Sequence, residues 1–474
     1  MATSSAQSRY APAAVLLAPV LLWLWLALTP AGAGFSWMEQ RVAALFVFAA
    51  LAWILEPWPT YATSILIIAL ELVLLSDSGI AALMPEDTKV APLSYSDIMA
   101  TLASPVIQLF LGGFFLAAAA TKYRLDQNLA RVLLAPFGQK PANVMLGIMV
   151  VTAAFSMFMS NTATTAMMLA ILLPLLNELP AADRGRTALV LAVPFAANLG
   201  GLGTPIGSPP NAIALKYLTG AHALNFGQWM AFGLPFVLVM VTAGWLLLKT
   251  LFPFEQQSLA LRIKGAFLQT PRARIVYATF IVTIFLWLTD FWHGMNAYVV
   301  AMIPVAIFLT TKVINKEDLK TLNWEILWLV AGGIALGMAT EVSGLAGHLI
   351  QMAPLGGLPG WALLLLAAAT AITVANFLSH TATANLLLPI VAALSASLPA
   401  VAEVGGLPAI VLAVTLSIST GMCLPISSPP NALASATGQV NTPDMTRAGL
   451  WIAGLGLILA IMTVTILRWL NFFN

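Results

Sequence analysis

Two short polar segments lie within otherwise apolar stretches of this chain, and their side chains are suited to binding carboxylates. The segments are Ser160, Asn161 and Thr162, and, 219 residues later, Ser379, His380 and Thr381. Hydroxyl and amide groups donate hydrogen bonds to carboxylate oxygens without carrying a formal charge. Because the segment occurs twice, the pattern favours a ligand with an anionic group at each end, which in outline is a dicarboxylate.

A second pair of motifs is expected to break two apolar helices. The sequence GGLGTPIGSPPN covers residues 200–211, and TGMCLPISSPPN covers residues 420–431. Proline removes a backbone donor and blocks the helical hydrogen bond behind it, and glycine permits a tight backbone. We therefore expect half-helices to begin near Asn211 and Asn431, with free N–H groups that favour an anion. The hydroxyls of Ser208 and Ser428, just ahead of them, add donors.

The composition indicates that these motifs lie in a lipid bilayer. Of the 474 residues, 60% are hydrophobic and 8% are charged, and the mean hydropathy is +0.93. Soluble domains carry about a quarter charged residues, so several soluble domains are excluded. The net charge of +2 gives no reason to expect nucleic acid as a partner. The single cysteine, Cys423, excludes an internal disulfide and any multi-cysteine metal site.

The apolar segments predict an all-α polytopic membrane protein with about eleven transmembrane segments. Regions 143–176 and 360–398 would form two re-entrant helical hairpins with the polar segments at their tips. Regions 187–219 and 409–437 would form two broken helices. The constant offset of 219 or 220 residues indicates an internal repeat, and an odd number of crossings between the copies predicts inverted topology. Inverted repeats with broken helices are typical of secondary transporters.

The repeat predicts four segments along the chain. Residues 1–97 would be N-terminal spans, mainly scaffold, and residues 98–252 the core of the first repeat. Residues 253–323 would be a linker with scaffold spans, and residues 324–474 the core of the second repeat.

Basic residues predict the orientation of the chain. With the N-terminus in the cytoplasm, the exceptions to the positive-inside rule are Arg41, Lys89, Lys216 and Arg468. We therefore expect a multi-pass protein of the cell inner membrane with a cytoplasmic N-terminus.

The paired polar tips, the paired Pro-Pro-Asn breaks and the Gly-Gly pairs at 112–113 and 332–333 resemble the divalent anion/sodium symporter family of di- and tricarboxylate transporters. The resemblance extends over essentially the whole chain. It implies an elevator-type carrier, in which a scaffold forms a homodimer and a transport domain moves. The implied substrate contacts are Ser160, Asn161, Thr162, Ser379 and Thr381, with Ser208, Ser428 and Pro429 nearby. It also implies a sodium ion beside each tip, held at the first by Ser156, Asn161 and Gly207, and no organic cofactor.

The second tip departs from that family pattern. His380 stands where the sodium-coupled members have Asn, and Ala375 takes the place that Ser156 has before the first tip. Sodium prefers oxygen ligands, so the second site has lost two donors. A protonated imidazole would supply a fixed positive charge in place of the missing ion. We therefore expect His380 to serve as a countercharge in a carrier that exchanges one dicarboxylate for another.

Other mechanisms and substrates stay open. His380 would also suit a neutral ring bonded to a neighbouring hydroxyl, or a titrating group in proton-coupled symport. Sodium-coupled symport would use the first site alone. Succinate, malate, 2-oxoglutarate, tartrate and citrate all present carboxylates at comparable spacing.

Two other classes of protein are disfavoured. A hydrolase with Ser379 or Ser160 as nucleophile lacks an aligned base, because the neighbouring His380 follows Ser379 directly in the chain and the first tip has no histidine. An ion channel would need a continuous pore rather than two half-sites that face each other.

Overall fold

The computed structural model describes residues 4–28, 34–81, 90–176, 178–180, 182–259 and 266–473, with side chains from residue 13 onward. Lys89 lies outside the described residues. Within these ranges the fold is helical, and an isolated bridge between Ser76 and Leu93 is the one β-type pairing. Nine helices of the described part are long and apolar enough to cross a membrane, and six shorter helices are also apolar. The prediction of an all-α multi-pass membrane protein is confirmed, whereas the number of eleven spans stays a prediction.

The helices of the N-terminal half are α1 (Ser4–Leu28), α2 (Trp37–Leu55), α3 (Thr60–Leu74), α4 (Tyr95–Ala100), α5 (Pro105–Lys122), α6 (Leu125–Leu134), α7 (Pro141–Ser156), α8 (Asn161–Leu176), α9 (Gly185–Gly200), α10 (Pro209–Tyr217) and α11 (Phe226–Leu251). Those of the C-terminal half are α12 (Pro271–Leu288), α13 (Asp290–His293), α14 (Ala297–Thr310), α15 (Lys316–Leu319), α16 (Trp324–Ser343), α17 (Leu345–Met352), α18 (Gly360–Phe377), α19 (His380–Ser397), α20 (Gly406–Thr420), α21 (Pro429–Ala436) and α22 (Thr442–Trp469). Short 3-10 turns cover Thr101–Ala103, Ala135–Phe137, Gly201–Gly203, Gly220–His222, Pro399–Val404 and Pro425–Ser427.

The chain forms two compact units, each assembled from separate segments. The first unit comprises Met1–Ile107, Trp324–Ala367 and Thr381–Val411, and the second comprises Gln108–Asn323, Ala368–His380 and Leu412–Asn474. The four-segment division predicted from the sequence stays a prediction.

In the first unit, α16 packs against α3 through its Gly-Gly pair. A methyl group at Gly332 would lie 2.6 Å from the Ser64 Cα, so only glycine permits this approach. The neighbouring Gly333 leaves room for Asn385, whose Nδ2 donates to Leu329 O at 3.1 Å. The second of the two Gly-Gly pairs therefore sets helix packing.

In the second unit, α9 is the central element. It packs against α7, α8, α11 and α21, and almost every residue along it is buried. A helix that is apolar on all faces is stable only when it is enclosed by other elements. The first broken helix therefore begins in the core of this unit and carries its polar break there.

Both pairs of polar motifs lie between helices. The first polar segment joins α7 to α8, which pack against each other as a helical hairpin, and the second joins α18 to α19. The breaks separate α9 from α10 and α20 from α21. The half-helices begin at Pro209 and Pro429, two residues earlier than predicted, because proline suits the first helical positions, whose N–H groups have no helical acceptor.

Candidate functional site

All but one of the predicted site residues fall in the second unit. The second half-helix, α21, packs there against α8 and α9, so the second break lies beside the first hairpin and the first broken helix. The remaining one, Thr381, belongs to the first unit. The structure brings together the first tip, both breaks and the start of the second tip.

The first tip is fixed by Ser156 at the end of α7. Its hydroxyl is buried, 2.5 Å from Asn161 Oδ1 and 2.7 Å from Ala197 O. Ser160 caps α8, since its Oγ accepts from Ala163 N at 3.5 Å. The side-chain oxygen of Asn161 thus points at Ser156, which also lies against α9, although Asn161 as a whole is only half-buried.

Carbonyl groups of the first break converge on the same place. A methyl group on Gly201 would lie 2.8 Å from Asn161 Oδ1 and 2.9 Å from Gly207 O. One on Gly207 would lie 2.5 Å from Gly201 O and 2.9 Å from Ser156 O. We call these atoms, with Ser156 Oγ, the first oxygen cluster. Such a set of neutral oxygens suits a hard cation, and the glycines leave space that a side chain would fill.

The second tip is organised around an imidazole. His380 is buried, and its Nε2 lies 2.9 Å from Gly421 O, to which it donates. The nearest side-chain atom to a methyl group on Gly421 would be the Ala375 methyl, at 2.8 Å. The second half therefore has the His380 N–H where the first has the Asn161 side chain, and the Ala375 methyl group where the first has the Ser156 hydroxyl.

Asn376 holds the second break against the second tip. Its Oδ1 accepts from Cys423 N at 2.8 Å, and its carbonyl accepts from the Ser427 hydroxyl at 3.0 Å. In the first half, Thr204 donates its hydroxyl to Met157 O, the residue that corresponds to Asn376. Each break is thus anchored by a hydroxyl to the last turn of the preceding hairpin helix.

The asparagines of the Pro-Pro-Asn motifs fix the two breaks, a role that the sequence interpretation missed. Asn211 donates through Nδ2 to Gly201 O and Thr204 O, both at 2.8 Å. Asn431 donates to Met422 O at 2.9 Å and to Leu424 O at 3.0 Å. The signal was present, because both asparagines lie at the same offset as the prolines before them.

Asn198 was also missed, and it links the two broken helices. Its Nδ2 donates to Ser428 Oγ at 2.9 Å and to Asn431 Oδ1 at 3.2 Å. No repeated motif marks Asn198, since Ile418 stands at the corresponding position. It therefore gave no signal in the sequence.

The electrostatics of the site come from helix ends. The first turns of α8, α10 and α21 contain no acidic side chain. The start of α8 presents N–H groups and the positive end of its dipole, which favour an anion. The helices α10 and α21 each begin with two prolines, which have no N–H, so they offer the positive end of the dipole alone. Ser428 also caps α21 by accepting from Asn431 N at 3.4 Å, whereas Ser208 makes no capping bond. The arrangement can bind carboxylates at helix ends and a cation among oxygens.

Exposure separates the predicted residues into two groups. The buried ones are Ser156, Gly207, Ser208, His380 and Ser428, and the half-buried or exposed ones are Ser160, Asn161, Thr162, Ser379, Thr381 and Pro429. Apart from His380, the tip residues are thus more accessible than Ser208 and Ser428 at the breaks.

The chain is similar in sequence to known transporters. The chain is 31% identical over 459 residues to an uncharacterized transporter of Schizosaccharomyces pombe, which covers 92% of this chain but only 50% of that protein. It is 30% identical over 470 residues to the sodium-dependent dicarboxylate transporter SdcS of Staphylococcus aureus, covering 90% of this chain and 86% of SdcS. The SdcS protein of Staphylococcus saprophyticus is 29% identical over 461 residues, covering 89% and 85%.

Two solved structures share the fold. The YdaH transporter of Alcanivorax borkumensis matches with a TM-score of 0.55 at 14% identity, over 87% of this chain and 98% of that chain. The efflux pump MtrF of Neisseria gonorrhoeae matches with a TM-score of 0.51 at 12% identity, over 86% and 95%. The first is a transporter and the second an efflux pump, and the likeness concerns the fold alone.

A model of the citrate transporter family matches residues 50–404, which is most of the chain. The resemblance to carriers of di- and tricarboxylates that the sequence predicted is confirmed, and these relatives are transporters and not enzymes. On the family match and the long similarity to SdcS, the chain belongs to the citrate transporter family.

Proposed function

We propose that this protein is a secondary transporter of small dicarboxylates of four or five carbons, such as succinate, malate and 2-oxoglutarate, and that it works by exchange. The carboxylates would bind at the half-buried tip residues and at the starts of α8, α10 and α21. The names of the SdcS relatives and of the family support the substrate class. The observation that carries the exchange mechanism is the hydrogen bond from His380 Nε2 to Gly421 O.

The first oxygen cluster supports a sodium ion at one site. Ser156, Asn161 and the carbonyls of Gly201 and Gly207 offer neutral oxygens, the ligand type that sodium prefers. A sodium ion bound there would compensate part of the negative charge of the substrate, without being required for exchange.

The second tip argues against a second sodium ion. Beside the carbonyl of Gly421, which corresponds to Gly201 of the first oxygen cluster, stands the His380 N–H, a donor, where the first half has the oxygen acceptor Asn161 Oδ1. Imidazole nitrogen is a poor sodium ligand, and the Ala375 methyl provides no oxygen. A protonated His380 would carry a positive charge that is fixed to the protein, so this charge cannot be released on the far side as a sodium ion can. The carrier would therefore return only with a second dicarboxylate bound. Transport of this kind is an exchange of one dicarboxylate for another.

The transport cycle would follow the family pattern. We propose an elevator movement, a homodimer and inverted repeats, because the matched hairpins and breaks recur at one offset. We also propose the cell inner membrane as location, with a cytoplasmic N-terminus, from the distribution of Lys and Arg.

Sodium-coupled or proton-coupled symport is the second candidate. It is favoured by the relatives, which are sodium-dependent by name, and by the first oxygen cluster.

Counterflow separates these mechanisms. The purified protein in liposomes loaded with unlabelled succinate should take up labelled succinate, malate or 2-oxoglutarate in sodium-free buffer, and liposomes without internal dicarboxylate should take up far less. Strict dependence on external sodium, without stimulation by internal succinate, would instead establish symport. Absence of any saturable dicarboxylate uptake would refute the substrate class.

A further inference from the structure

A cavity of about 350 Å³ lies next to the first tip, wholly within the second unit. Its walls come from the end of α5, from the first tip and the start of α8, and from α15 and the segment after it. Ser160 and Ala163 face it from the hairpin, and Lys122 and Asp318 face it from the other walls. Sites for small molecules in proteins begin at about 300 Å³, so the volume suits a small organic acid.

Lys122 is held at this cavity by two oxygens. Its Nζ donates to Asp318 Oδ2 at 2.5 Å and to Val313 O at 2.9 Å. The pair stays accessible, with 31% of the Lys122 side chain and 22% of the Asp318 side chain exposed. An ammonium group has three donors, so one N–H is left over after these two contacts of the described residues.

Asp318 does not depend on Lys122 for its hydrogen bonds. Its Oδ2 also accepts from Asn315 N at 2.7 Å, as part of the cap of α15. If Lys122 moved to another carboxylate, Asp318 would keep this bond and stay accessible to water. Exchange of one carboxylate partner of Lys122 for another would therefore have a low free-energy cost.

We propose that this cavity is an access vestibule for the dicarboxylate and that Lys122 is its docking group. Lys122 and Asp318 are the charged residues among those that line it, and Ser160 lies at its inner wall. One carboxylate of the incoming substrate displaces Asp318 from Lys122, and the substrate then passes to Ser160 and the start of α8. Asp318 forms its ion pair with Lys122 again once the substrate has left the vestibule. This inference rests on the proposed function, because it names a step before binding at the same site.

The closest matched control is a second ion pair in the same segment. Lys320 donates to Glu317 Oε2 at 2.6 Å, both side chains are largely exposed, and neither residue lines the cavity. Lys320→Gln therefore removes the same charge as Lys122→Gln, from the segment that carries Asp318 but outside the vestibule.

A first experiment measures the local potential without transport. Cys423, the single natural cysteine, is buried, so Ala163→Cys in a Cys423→Ala background places one accessible thiol in the cavity. We expect Lys122→Gln to lower the ratio of labelling rates for anionic over cationic methanethiosulfonates several-fold, Asp318→Asn to raise it, and Lys320→Gln to leave it unchanged. Equal ratios in all three variants, or the same fall with Lys320→Gln, would overturn the proposal.

A second experiment measures the kinetics of exchange from each side in oriented vesicles. Lys122→Gln should raise the KM for succinate about tenfold on the side where Lys122 lies and leave the other side unchanged. Lys122→Arg should keep the wild-type KM. Equal changes on both sides, or none, would refute the docking role. A wild-type protein without dicarboxylate exchange would refute the proposed function itself, while the labelling ratio would still report on the vestibule.

Discussion

The two half-sites, each made of a polar tip and a helix break, have a similar backbone arrangement but different side chains. In the first, Ser156, Asn161 and two glycine carbonyls place oxygens around one point. In the second, the corresponding positions hold the Ala375 methyl, and the His380 N–H bonds the Gly421 carbonyl directly. A group of the protein thus takes the place that, in the first half, we propose for a cation.

The asparagine of each Pro-Pro-Asn motif shows how closely this backbone arrangement is kept. In the first half, Asn211 donates to the carbonyls of Gly201 and Thr204. In the second half, Gly421 and Leu424 stand at the corresponding positions. Asn431 keeps Leu424 but bonds Met422 in place of Gly421, whose carbonyl is occupied by His380. The carbonyl partner of Asn431 thus lies one residue further along the chain than Gly421, the residue that corresponds to the partner of Asn211. At these positions the two halves therefore differ in one carbonyl partner of the asparagine.

The strongest test converts the second half-site into the first. In the double variant Ala375→Ser, His380→Asn, we expect sodium-free exchange to fall about tenfold or more and sodium-dependent uptake to appear. The Gly421 carbonyl loses its donor, and an unpaired buried polar group costs about 1–3 kcal/mol unless a cation replaces it. Counterflow at varied sodium concentration measures both effects. Unchanged exchange in sodium-free buffer would contradict the comparison.

The charge and the hydrogen bond of His380 can be separated. His380→Gln keeps an amide donor at this position but never carries a charge. If the fixed charge is needed, exchange without sodium is lost in this variant as well. If the hydrogen bond to Gly421 O suffices, exchange is retained and the countercharge hypothesis is wrong.

The sequence predicted the elements of this comparison better than their contacts. Repeated motifs located both tips and both breaks, because Gly, Pro and short polar residues stand out in apolar segments. Asn198 could not be found, since it has no counterpart in the second half and its bonds reach 230 and 233 residues along the chain. The shift of Asn431 from Gly421 to Met422 depends on which carbonyl His380 occupies, which no motif encodes. The half-helix starts were placed two residues late because the asparagine, and not the proline, was taken as the first helical residue.

A smaller effect is expected from filling the first oxygen cluster. Gly207→Ala places a methyl group 2.5 Å from Gly201 O and 2.9 Å from Ser156 O, both backbone atoms that cannot turn aside. We expect a loss of about 1–3 kcal/mol in the free energy of unfolding and the loss of any stabilisation by sodium. The second half already carries Ser427 at this position, so a side chain is compatible there.

Thermal unfolding in detergent, with and without sodium, measures this effect. Gly454→Ala is the matched control, because no atom lies within 4 Å of the added methyl group. It should be neutral or slightly stabilising, as expected for Gly to Ala within a helix. A sodium response that survives Gly207→Ala would show that the ion binds elsewhere.

The smallest effect distinguishes the two serines that precede the half-helices. Ser428 accepts from Asn431 N and from Asn198 Nδ2, whereas Ser208 makes no capping bond, although both are buried. Ser428→Ala should therefore lower the free energy of unfolding by about 1 kcal/mol, and Ser208→Ala by less than about 0.5 kcal/mol. Unfolding of both variants in the same detergent measures the difference. Because the Ser208 hydroxyl has no bond to lose within the cap, its loss should instead appear as weaker dicarboxylate binding, and equal destabilisation by both variants would contradict this division of roles.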